Sequence, residues 1–160
     1  MNTMSLKEIG TVRSRAGEYS VQLHEEYRDG LAELGGFGYV HVLFWCHHLD
    51  APEYRAVLSA PKPYRLAPET VGIFATRSPV RPNPIALSPC PVLSVDREAG
   101  VIQLAYIDAE DGSPVLDIKP YHPSVDRVRD AAVPQWCAHW PRWIEDGASF
   151  DWEGEFVNAR

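Results

Sequence analysis

The chain has 160 residues, 22 of them acidic and 15 basic, for a net charge of −7 and a pI near 5.3. That length buries enough surface to fold without a disulfide or metal staple. No apolar run approaches the roughly 18 residues of a membrane-crossing helix, so no membrane association is expected.

The opening MNTMSLKEIG has no apolar leader core, which makes the cytoplasm the expected compartment. Short β-branched and aromatic runs follow at 9–12, 39–45, 71–75, 85–87, 92–95, 101–107 and 115–118. Turn signals separate them, and 14 prolines disfavour long helices. The expected class is mainly β, a compact antiparallel β-barrel or sandwich with short helices. Residues 25–34 read as one such helix, with Leu31 and Leu34 as its apolar positions. Asp111-Gly112 reads as a hairpin turn between the last two runs. Trp136, Trp140 and Trp143 fall on one helical face that Pro141 interrupts, and Phe150, Trp152 and Phe156 alternate with acidic residues as a final strand would. The expected division is a barrel domain at 1–129 and a Trp-rich extension at 130–160, packed on the barrel or on a dimer partner.

Cys46, Cys90 and Cys137 are far apart and form no C-x-x-C pair, so they read as small buried thiols. Glycine-rich phosphate loops, H-E-x-x-H and nucleophile elbows are missing. Three stretches carry more chemistry. In VGIFATRSPVRPNPIALS, residues 71–88, three X-Pro pairs stiffen a loop that carries Arg77, Arg81 and Asn83. Such a loop either presents pre-organised donors to an anionic ligand or is a rigid connector whose arginines pair with surplus acids. In DAEDGSPVLDIKPYHPSVD, residues 108–126, an extended 117–121 places Asp117, Lys119 and Tyr121 on one face and Ile118 on the other. That face is a wall for a polar ligand or a solvated surface with a weak ion pair. YVHVLFWCHH ends an apolar strand in His47 and His48. Adjacent strand residues face opposite ways, so no shared metal is expected there, and one histidine facing a pocket is the better reading.

Together with IGTVRS near the N-terminus, VLFWCHH, the 71–88 stretch and DGSPVLDIKPYHPSVD, in this order, resemble the TsaA/TrmO-like family over roughly residues 7–126. The resemblance implies a compact β-barrel that binds S-adenosylmethionine, usually as a homodimer. It implies N-methylation of N6-threonylcarbamoyladenosine beside the tRNA anticodon. Matched residue by residue, it assigns cofactor contacts to His47, His48, Arg77, Leu87, Ala109, Glu110, Asp111 and Gly112. Arg81 and Asn83 are substrate-binding candidates, and Asp117, Lys119 and Tyr121 are catalytic candidates. There are three departures. No Pro-Arg-Gln segment follows the first strand, Phe37-Gly38-Tyr39 replaces the family's Phe-Ser-His, and a Trp-rich tail from about Asp130 stands where the tRNA-modifying enzymes carry a C-terminal domain.

Methyl transfer from a sulfonium needs alignment more than acid catalysis, and an accepting amide nitrogen must lose a proton. Asp117 or a histidine is the expected base. The acidity speaks against a polyanionic substrate unless Arg13, Arg15, Arg77, Arg81 and Lys119 form a local patch. A small-molecule acceptor or a non-enzymatic S-adenosylmethionine-binding module are the alternatives.

Overall fold

The structure is a computed structural model that describes residues 4–158; residues 1–3, on which the N-terminal reading partly rests, and 159–160 lie outside them. The chain forms two compact units, the first built from the residues up to Ala51 together with Asn83–Arg127, the second from Pro52–Pro82 together with Val128 onward. The chain leaves the first unit for the last time after Arg127. The segment 52–82 clusters with the tail.

Eight strands occur among the described residues: β1 (Gly10–Arg15), β2 (Glu18–Leu23), β3 (Tyr39–Trp45), β4 (Ser59–Pro61), β5 (Thr70–Gly72), β6 (Ile85–Asp96), β7 (Val101–Leu104) and β8 (Pro114–Pro120). Six of them close a barrel in the order β1-β2-β7-β6-β3-β8. The first unit is therefore the antiparallel barrel that the sequence predicts. Alternation explains its core: Val40, Val42 and Phe44 of β3 point inward and meet Val12, Val21, Ile102, Leu104 and Val115. Tyr39, His41, Leu43 and Trp45 take the outer face. β1 and β2 are joined across Ala16 and Gly17, both at positive φ (52° and 81°), the two-residue turn that suits the twist of a hairpin.

Several sequence expectations change. The runs 85–87 and 92–95 are parts of one 12-residue strand, β6. The run 71–75 is a strand only to Gly72, because the Thr76 N–H and hydroxyl both donate to the Ile73 carbonyl and wind Ile73–Ala75 into a 3-10 turn. β2 is a strand that the sequence reading missed. Residues 25–34 form a 3-10 segment, Glu25–Leu31, which ends before Glu33 takes a left-handed φ of 65°. Asp111-Gly112 is not a hairpin, since β8 pairs with β1 and β3 whereas β7 pairs with β2 and β6. Residues 150–156 make no strand. Asp151 caps a single helical turn, Trp152–Glu155, by accepting from the Gly154 N–H at 2.9 Å.

In the second unit β4 and β5 pair antiparallel. Tyr64, Ala67 and Val71 form a small core covered by Trp136 and Trp140. The Trp136 ring stacks on Tyr64 at 5.4 Å and 10°, and Trp140 meets it edge-on at 4.9 Å. Trp136 and Trp140 thus share this cluster without a continuous helix, and Trp143 stays 44% exposed. Glu155, 1% exposed, accepts from Trp140 Nε1 at 3.0 Å and pairs with His139 Nε2 at 2.9 Å and Arg65 Nε at 3.6 Å.

Candidate functional site

β3 ends at Trp45, and the chain then winds into a 3-10 turn, His47–Leu49. Strand alternation therefore stops before the two histidines. Their rings lie side by side, 3.9 Å between centroids, instead of on opposite faces. The Cys46 N–H donates to the Pro84 carbonyl at 2.8 Å and fixes this turn to the start of β6. His47 Nδ1 lies 3.4 Å from the hydroxyl of Ser113, a residue 1% exposed that closes the loop 109–112. Residues 66 positions apart thereby meet at one rim of the barrel.

The loop is tied down on its other side. Asp111 accepts from the Ser14 N–H at 3.1 Å and from Arg15 Nε at 2.8 Å, with Arg15 Nη2 at 2.7 Å. The Arg15 hydrogen bond, then the Ser14 N–H, hold the Asp111 carboxyl below its ordinary range, and the same bond raises the Arg15 guanidinium. The Gly112 N–H donates to the Val12 carbonyl at 2.9 Å, and its φ of +85° is a conformation that favours glycine. A Cβ at Gly112 would meet nothing within 4 Å, so this part of the loop faces open space. Ala109 packs partly against the core, and Glu110 is exposed.

Of the remaining expected contacts, Leu87 lies on the outer face of β6 opposite Leu43, two residues in from the pair that Ile85 makes with Trp45. Arg77 and Arg81 belong to the second unit, on the loop after the Ile73–Ala75 turn. Asn83 opens the return into the first unit and is exposed.

Asp117 and Lys119 stand opposite Leu43 and His41 of β3, and Lys119 Nζ reaches Asp117 Oδ2 at 2.7 Å. That hydrogen bond raises the Lys119 ammonium. The Tyr121 ring lies 5.4 Å from that of His41. The sequence reading passed over His41 itself. Its Nε2 is 3.2 Å from Asp126 Oδ1, and its buried Nδ1 has no hydrogen-bond partner among the described residues. Outward parity on β3 was the available signal. Asp117, Ile118 and Pro120 also border an open groove of about 380 Å³, facing Leu31, Leu34 and Phe37. Burial pushes the Cys90 thiol up to about 11, so it offers no thiolate at neutral pH. Among the described residues no group of three His, Cys, Asp or Glu side chains could hold a metal ion, and no helix is long and apolar enough to cross a membrane.

Comparison with known proteins bears on what this rim does. Residues 10–127 match the family described as the tRNA-methyltransferase O N-terminal domain. An S-adenosyl-L-methionine-binding protein of Archaeoglobus fulgidus is 36% identical over 139 residues, 78% of this chain and 94% of that protein. The tRNA (adenine(37)-N6)-methyltransferase of Escherichia coli is 33% identical over 130 residues, 79% of this chain but 54% of the enzyme. Among solved structures, TrmO from Pseudomonas aeruginosa superposes with a TM-score of 0.66 at 31% identity, covering 84% of this chain and 62% of its own. The chain thus spans about half to two thirds of the length of these last two relatives.

Proposed function

Because the chain belongs to the family of the tRNA-methyltransferase O N-terminal domain, we propose that it binds S-adenosylmethionine and transfers its methyl group to an adenine of tRNA. The observation that carries this reading is the meeting of the His47–His48 turn with the 109–112 loop at Ser113, two segments that the resemblance assigns independently to the cofactor. The donor set suits such a ligand. Glu110 offers an exposed carboxylate to an ammonium or a ribose hydroxyl, and Gly112 leaves room for close approach. The bound cofactor supplies an electrophilic methyl group on a sulfonium.

The chain's part is alignment. His47 is held by Ser113 and by its neighbour's ring, and the loop is held by Asp111, so little order remains to be gained on binding. Aligning donor and acceptor accounts for on the order of 7–11 kcal/mol of barrier in good intramolecular reactions. We further assign Leu87 and Arg77 to the cofactor and Arg81 and Asn83 to the acceptor strand, on the resemblance of their motifs. The preferred acceptor is the N6 nitrogen of threonylcarbamoyladenosine beside the anticodon. Asp117 is the preferred base, with Lys119 holding its carboxylate and Tyr121 beside it. A cytoplasmic homodimer is the expected working form.

The test is methyl transfer from labelled S-adenosylmethionine to tRNA from cells with and without the threonylcarbamoyl modification. Label in the first tRNA alone is expected. Equal label in both removes the modified base as acceptor, and label in neither removes tRNA. One observation favours a second reading: the match over 94% of a relative named only for binding S-adenosylmethionine. On that reading the acceptor is a small molecule, or the protein binds without transfer.

A further inference from the structure

The most exposed aromatic ring among the described residues is Phe74, at 75%. A phenylalanine side chain gains about 1.5–3 kcal/mol by leaving water, so a ring held out in solvent needs a reason in the backbone. Its neighbours supply one. Ile73 is 2% and Thr76 8% exposed, and their burial turns Phe74 outward. The turn is clamped: the Ile73 N–H donates to Leu58 at 2.9 Å, and the Thr76 hydroxyl donates to Ile73 at 2.8 Å. Beyond it the Ser78 N–H donates to the Thr76 hydroxyl and the Val80 N–H to that of Ser78, both at 3.2 Å. Pro79 and Pro82 stiffen the rest. The turn thus holds Phe74 on the surface of the unit.

The segment that carries this ring is opposite in charge to the chain. Residues 52–82 hold five basic and two acidic side chains, a net +3 in a chain of −7. Three of the guanidinium groups lie on or against the loop that follows Phe74. Arg77 is exposed, Arg81 reaches the Ser78 carbonyl at 3.4 Å, and Arg55 donates to the Pro82 carbonyl at 2.8 Å. A solvent-facing π-surface at the head of a loop that carries cations fits a ligand with flat heterocycles and a phosphodiester backbone. We infer that Phe74 is a stacking platform for a nucleobase of the acceptor RNA, with the Arg55, Arg77 and Arg81 loop beneath its backbone. This rests on the tRNA reading above and adds to it the place where an unpaired base is received.

The experiment compares the full-length protein with F74A and F74W in two titrations, fluorescently labelled tRNA at low salt and S-adenosylmethionine by calorimetry. F74A is expected to bind tRNA about five- to a hundredfold more weakly, the range of one lost base stack. F74W is expected to match the unsubstituted protein, and all three to bind the cofactor within about twofold of one another, the spread expected for a residue that does not touch it. Free adenosine monophosphate as competitor separates a base read within a strand, displaced only weakly, from a mononucleotide site, displaced fully. Unchanged tRNA affinity in F74A overturns the inference. So does loss of cofactor affinity instead, which assigns the ring to the cofactor's adenine, or a change only in oligomeric state, which assigns it to a second copy. If the unsubstituted protein binds cofactor but no tRNA, the tRNA reading falls and this inference with it. An effect confined to F74A leaves that reading standing.

Discussion

Glu155→Ala tests how the second unit is held together. The carboxylate is 1% exposed and serves two close donors, Trp140 Nε1 at 3.0 Å and His139 Nε2 at 2.9 Å, with Arg65 Nε at 3.6 Å. Alanine strands the indole N–H, at a cost of about 1–3 kcal/mol, and removes a charge-assisted bond of about 1.5–3 kcal/mol. Breaking a buried pair by removing one partner costs about 3–5 kcal/mol in total, and we expect that range. Glu155→Gln keeps an acceptor for the indole but loses the charge and the second acceptor oxygen that faces His139, so about half of that is expected. Urea unfolding followed by tryptophan fluorescence reads the effect, because Trp140 and Trp152 lie in this cluster. Burial pushes the Glu155 carboxyl up, but the hydrogen bonds from His139 and Trp140 outweigh it, and the group titrates below its ordinary 4.5. A depressed carboxyl stabilises the fold above its unfolded value, and that contribution is lost as pH falls through the folded one. The unsubstituted protein therefore loses stability in acid that Glu155→Gln never had. A change under about 1 kcal/mol in Glu155→Ala, or identical acid profiles for Glu155→Gln and the parent, refutes the reasoning.

Arg77→Ala is expected to weaken S-adenosylmethionine binding by about 1.5–3 kcal/mol, roughly ten- to a hundredfold, in calorimetry. Asp111→Ala unties the 109–112 loop from Ser14 and Arg15, so amide exchange at Ser14 speeds up and cofactor binding weakens. Because the Asp111 carboxyl is depressed, the same loosening appears in the parent as pH falls through its folded value, below the ordinary carboxylate range. Truncation after Asp130 removes Trp136 and Trp140 from Tyr64, Ala67 and Val71, and light scattering is expected to show aggregation. A soluble truncated protein with an intact melt contradicts that packing.

The barrel was legible where one side of a strand is uniformly apolar. β3 alternates through all seven residues, and its bounds follow from the sequence alone. The sequence reading gives β6 as two runs, and Pro89 and Pro91 between them look like breakers. The bonds from Cys46 N–H to Pro84 and from Val92 N–H to Gly38 show why they are not. They mark the hydrogen-bonded pairs of the ladder, and the pairs of Pro89 with His41 and Pro91 with Tyr39 fall between them. Neither proline is asked for an N–H there. β2 escaped notice because EYSVQL buries only Val21 and Leu23 fully. At the candidate site, the resemblance pointed to His47 and the 109–112 loop, but no local pattern links positions 66 apart, so Ser113 and the anchoring role of Asp111 needed coordinates. Parity could have marked His41 as outward, but its partner Asp126 lies beyond the reach of strand periodicity.

The discontinuity of the second unit also orders events in time. Tyr64 emerges from a ribosome long before the tryptophans that cover it, which follow some 70 residues later in the chain. At roughly 5–20 residues per second that is a wait of about 4–14 s, far longer than a small barrel takes to collapse. Later still come the bridge of Tyr64 to Phe156 and the Arg65 N–H bond to the Glu155 carbonyl. The second unit, which carries the Phe74 loop and its arginines, thus gains its framework later than the barrel.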